Sequence, residues 1–183
     1  MALAFIGSLV VPLDAQTITI KRAGDALAVL APGLGFLRGE TLTRLKDGRG
    51  VRVDLELSVM RGPGGDAGAR GRRTFVLSYD LWEERLAVTM AGSPPRSSSY
   101  LTAAAAEAWC VDHVTIPVIE LGKMRDAPFW IRLEYRVLDG DASPDRDDGA
   151  GLTLRGLIES LSRKAKAGAL THAVEAGPFR LQS

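Results

Sequence analysis

The sequence predicts a mainly β protein, an antiparallel β-sandwich with two or three helices packed at its edge or across one face. Three observations carry that expectation. Val51, Val53, Leu55, Leu57 and Val59 alternate with Arg52, Asp54, Glu56 and Ser58, and apolar residues at period two place one strand face on a core and the other in water. Ile131, Leu133, Tyr135 and Val137 repeat the pattern against Arg132, Glu134 and Arg136. One wet face favours antiparallel pairing, because parallel strands are covered on both sides and run apolar throughout. Finally, Phe75, Leu77 and Tyr79 share one face and Leu86, Val88 and Met90 form a similar set. The polar stretch DLWEE between them, residues 80–84, reads as the bend of a hairpin.

The other elements follow from turn chemistry and helical spacing. TITIK at 17–21 and ALAVL at 26–30 read as short strands around Gly24-Asp25, a turn-forming pair. Residues 40–46 form about two helical turns with Leu42 and Leu45 on one side. Residues 61–73, RGPGGDAGARGRR, are too rich in Gly and Arg to pack and read as a mobile connector. Ser99 is a natural N-cap for a helix whose stripe is Leu101, Ala104, Ala105, Ala108 and Trp109. Residues 114–121 look extended, with Pro117 marking an edge or a bulge. An acidic, solvated connector at 139–151 precedes a helix over 153–166 and a last strand over 174–181.

At 183 residues the chain is long enough for one unaided core, and 46% hydrophobic with 25% charged residues is ordinary for a soluble globular protein. A net charge of +1 supplies no concentrated positive field for nucleic acid. Residues 2–13 are uncharged and apolar. They are too short to span a bilayer but match the apolar region of a secretory signal, with cleavage after Ala15. The expected organisation is a signal peptide over 1–15, a single β-rich domain over 16–183, and residence in the periplasm or cell envelope.

Chemistry is sparse. His113 and His172 stand in no metal-ligand spacing, and the lone Cys110 makes neither a disulfide nor a zinc ribbon. His113, just after a helix, reads as a polar residue of its C-terminal end. No serine stands between glycines at an elbow, so Ser97, Ser98 and Ser99 read as linker and cap. Asp145, Asp147 and Asp148 lack the spacing of a calcium loop. Hence no catalytic, metal or cofactor-binding residue is assigned, and no cofactor is expected. Two surface groups remain. Trp82, rimmed by Glu83, Glu84 and Arg85, has the make-up of a partner-binding anchor, since aromatics and Arg dominate interface energetics. The bland alternative is that Trp82 folds back over the sheet edge as a lid on the core. Arg61, Arg70, Arg72 and Arg73 are candidate contacts for an anion.

The segments at 42–61, 75–89 and 129–138, with the helix SYLTAAAAEAWC at 99–110 between the last two, resemble an uncharacterised family of exported bacterial proteins. It is the domain-of-unknown-function family numbered 4390. The likeness covers roughly 26–138, and Leu77-Ser78-Tyr79 is its most specific piece. The resemblance implies an envelope setting beside membrane sensor kinases, and no catalytic residues. The leading expectation is a non-enzymatic envelope module that contacts a protein partner. The alternative is a carrier of a lipid or other apolar ligand, and the third reading is an envelope hydrolase.

Overall fold

Residues 17–139 and 171–181 are described by a computed structural model. The expected signal peptide and the helix over 153–166 lie outside the described residues. The fold is mainly β, as the alternation requires, and is built from two antiparallel sheets with helices at their margins. Strands β1 (Thr19–Ala23) and β2 (Ala26–Leu30) turn at Gly24, whose φ of 60° suits a residue without Cβ. With β7 (Ile116–Pro117) they form the smaller sheet, in the order β1-β2-β7. Pro117 thus sits at an edge, where a missing N–H leaves no gap in the ladder.

The larger sheet has the order β6-β5-β4-β3-β8-β9. Its strands are β3 (Val51–Met60), β4 (Ala67–Asp80), β5 (Arg85–Met90), β6 (Arg96–Leu101), β8 (Phe129–Asp139) and β9 (Thr171–Phe179). The two strands predicted most clearly, β3 and β8, are neighbours, with Val53 opposite both Phe75 and Val137. Their inward residues Val53, Leu55, Leu57, Ile131 and Leu133 join Phe75, Leu77 and Val88 in a core completed by Leu27 and Val29 of the smaller sheet. The outward face of β3 is less wet than the alternation implies. Asp54 and Ser58 are buried, because β3 is central and side chains from neighbouring strands close over it. Asp54 accepts from Thr74 Oγ1 at 2.7 Å and from Arg72 Nη2 at 3.1 Å.

Three expectations are corrected. The Gly/Arg-rich stretch is a connector only to Asp66, and from Ala67 it is strand paired with β3. Its glycines serve close approach. A Cβ on Gly71 would lie 2.3 Å from the carbonyl oxygen of Thr115, so the strand packs there backbone to backbone. The serines at 97–99 belong to edge strand β6, and helix α2 (Ala103–Asp112) is capped by Thr102, whose Oγ1 accepts from Ala105 N at 3.2 Å. Its buried face is Ala106, Glu107, Cys110 and Val111, while Ala104, Ala105 and Ala108 are exposed. The predicted stripe was displaced because alanine marks neither face by itself. After β7 the chain turns into a 3-10 helix, Val118–Asp126, kinked at Gly122, where extended chain was expected. Elsewhere the differences are small: α1 (Gly39–Lys46) buries Leu45, and β9 begins three residues before its predicted start.

Candidate functional site

Asp80 and Arg85 are the last pair of the β4–β5 hairpin, leaving Leu81, Trp82, Glu83 and Glu84 as its loop. The loop is fixed from within. Asp80 Oδ1 accepts the backbone N–H groups of Trp82 at 2.9 Å and Glu83 at 3.1 Å, an Asx turn. Glu84 closes it with a φ of 53°, and Arg85 Nη1 donates to the Glu84 carbonyl at 3.0 Å. Trp82 stands 96% exposed on this rigid tip, with Leu81 60% exposed beside it. The lid alternative is overturned, because a side chain this exposed covers no part of the core. Tyr100, also exposed, precedes Leu101, the partner of Leu86 just past the loop, so a second aromatic lies at the same end of the sheet.

The four arginines are not brought together. Arg61 directly follows β3, six residues and roughly 20 Å by strand rise from Leu55, the cross-strand partner of Arg73. Arg70 and Arg72 project from the outer face, where Arg70 pairs with Glu56 at 3.8 Å and Arg72 with Asp54 at 3.1 Å. Arg73, of opposite parity, lines an open cleft of about 790 Å³ that also receives Arg96, Asp112 and His113. His113 is the C-cap of α2; its ring stacks on Trp109 with centroids 3.9 Å apart and its Nδ1 lies 2.8 Å from the Trp109 carbonyl oxygen. That carbonyl can only accept, so Nδ1 carries the hydrogen. Neither Arg96 nor this cleft was singled out in the sequence. Arg96 follows two prolines and reads as loop until β6 is seen to pair with β5.

A second cavity, about 350 Å³, opens between α2 and the chain after β2. Leu30, Ala31 and Pro32 form one wall and Ala103, Ala104, Ala108 and Val111 the other. At its floor lies Glu107, 7% exposed, whose carboxylate accepts from Leu37 N at 2.7 Å and Gly35 N at 3.2 Å. Glu107 is therefore a brace between helix and loop. Burial, and then the nearby Glu107 charge, pushes the Cys110 thiol up to about 12, so this cysteine is a packed core residue of low reactivity. The same causes raise Tyr135, whose hydroxyl donates to the Leu34 carbonyl at 3.4 Å.

Among the described residues, no group of three or more His, Cys, Asp or Glu side chains is placed to hold a metal ion. No described helix is long and apolar enough to cross a membrane. No family model, curated protein or solved structure matches the chain.

Proposed function

We propose that the protein is a non-catalytic interaction module of the cell envelope whose contact surface is the β4–β5 hairpin tip. The observation that carries this reading is Trp82, 96% exposed on a loop that Asp80 holds in one shape. Exposing a large aromatic to water is unfavourable, and fixing it there removes the entropy that a partner would otherwise have to quench. Glu83, Glu84 and Arg85 supply a polar rim around it, the arrangement in which an aromatic anchor contributes most to binding. The envelope setting rests on the apolar run at 2–13 and on the family resemblance, which also makes the sensor domain of a membrane receptor the kind of partner to look for. The test is a photo-crosslinking residue placed at Glu83 in the native host. It should capture one envelope protein, which Trp82→Ala loses and which the same crosslinker at Arg70 does not capture. Equal capture from both positions would refute the assignment.

A second reading, a carrier of a small apolar ligand, is favoured by the cavity beside α2, since about 350 Å³ lies within the range of small-molecule sites. Native mass spectrometry of envelope-purified protein separates the two: a retained small molecule, lost on Ala104→Trp, supports the carrier.

A further inference from the structure

The cleft between β4, β6 and the end of α2 has a charge balance that the interaction reading leaves unused. Arg73 and Arg96 line it against a single carboxylate, Asp112, while the Arg72 side chain lies on the outer face with Asp54. That carboxylate is already engaged elsewhere. Asp112 forms an ion pair with Lys21 of β1, and Arg72 pairs with Asp54 at 3.1 Å. Arg73 and Arg96 are left without a carboxylate partner among the described residues. Arg73 is positioned nonetheless, since its Nη1 donates to the Arg72 carbonyl at 2.8 Å. Ser93 and Thr115, both hydroxyl-bearing, line the same space.

We propose that this cleft binds a phosphate group, carried on a small ester or on a lipid headgroup. Two guanidinium forks and two hydroxyls offer more donors than the two oxygens of a carboxylate can accept. The three or four oxygens of a tetrahedral oxyanion can take them, and guanidinium matches that geometry with paired N–H donors. The C-terminal end of α2 opposes an anion through its dipole, and the excess guanidinium charge outweighs a partial charge of about half a unit. The site is distinct from the Trp82 tip and does not depend on it.

The experiment titrates the full chain with sn-glycerol 3-phosphate, and separately with phosphatidylcholine vesicles containing one part in four of phosphatidic acid, at low ionic strength. Saturable binding is expected. The double variant Arg73→Gln, Arg96→Gln should weaken it about tenfold or more, whereas Arg70→Gln, which removes one positive charge from the outer face, should change it less than about twofold. Both arginines in the double variant are exposed, and an unchanged melting temperature verifies its fold. Binding of the soluble ester identifies a small phosphate ester, and binding of the vesicles alone identifies a lipid headgroup. Absence of saturable binding to either probe, or equal weakening by Arg70→Gln, overturns the proposal.

Discussion

Glu107 in helix α2 accepts the backbone N–H of Leu37 at 2.7 Å, tying together chain segments 70 residues apart. Its other oxygen takes Gly35 N at 3.2 Å. The loop between β2 and α1 can present both groups because Gly33 and Gly35 adopt φ of 78° and 75°, conformations costly for residues bearing a Cβ. One buried carboxylate therefore sets the distance between the two walls of the apolar cavity, and the helix is held at the sheet margin by a polar contact as much as by its alanines.

Removing that carboxylate should strand two backbone donors. Glu107→Ala is expected to cost about 2–3 kcal/mol, since a buried N–H left unpaired loses its full desolvation energy. Glu107→Gln keeps an acceptor for Leu37 and should cost about 1 kcal/mol, the neutral amide being the weaker acceptor. Urea titrations with unchanged m values test this. Equal losses for the two variants would mean that the side chain acts through packing alone.

Glycines in β4 should differ sharply in tolerance. A Cβ at Gly71 meets the Thr115 carbonyl oxygen at 2.3 Å, and backbone cannot step aside without moving β7. At Gly68 the obstacle is the end of the Met124 side chain at 2.5 Å, which can swing away. Gly71→Ala should thus cost about 2–3 kcal/mol, in the upper range for overpacking, and Gly68→Ala less than about 1. Thermal melts of the two variants decide it.

That contrast explains why the sequence was readable in some places and misread in others. Period-two alternation around Leu55 and Leu133 is a local signal with one structural solution, so β3, β8 and the hairpin at Trp82 were legible. The glycines at 68 and 71 read as flexibility because their reason is another segment, residues 115–124, that lies far away in the chain. Helix α2 was legible as a helix, but its register was not: alanine carries almost no preference between core and surface, and the residue that orients it is a carboxylate. The arginines looked like one cluster in the sequence, yet strand parity sends Arg72 and Arg73 to opposite faces, and the residue that joins Arg73 in the cleft comes from another strand.

Leu55 is fully buried and Glu56, its neighbour, is half-buried on the outer face near Arg70. Leu55→Ala should cost about 2–5 kcal/mol and Glu56→Ala no more than about 0.5. Equal effects in guanidinium titrations would place both faces of β3 in the core.

Alkaline pH should destabilise the fold through Cys110. Its thiol is raised from 9.0 to about 12 by burial and by Glu107, so between those values the unfolded chain releases a proton that the folded chain retains. The stabilising contribution is complete below pH 9 and is lost as the pH rises towards 12. Tyr135, raised for the same reasons, adds to the loss in the same direction. Stability measured from pH 8 upward should fall less steeply in Cys110→Ala than in the parent, and the native thiol should resist alkylation at pH 8 until the chain unfolds. Parallel slopes for parent and variant would remove Cys110 from the account.

Trp82 offers the sharpest separation between framework and function. A residue 96% exposed makes almost no contact that folding could lose, and the turn beneath it is held by Asp80 and the Trp82 backbone, neither of which the side chain supports. Trp82→Ala should therefore change stability by less than about 1 kcal/mol, against 3 or more for a buried aromatic. Asp80→Ala is the complementary change. It leaves the indole in place and removes the acceptor for Trp82 N and Glu83 N, so the loop loses its fixed shape. If the tip binds as a preorganised anchor, both variants should weaken the captured partner about tenfold or more, about 1.4 kcal/mol, the first by removing contact and the second by restoring loop entropy. Binding that survives Trp82→Ala would end the anchor reading. Loss in Trp82→Ala with normal binding in Asp80→Ala would keep the anchor and discard its preorganisation.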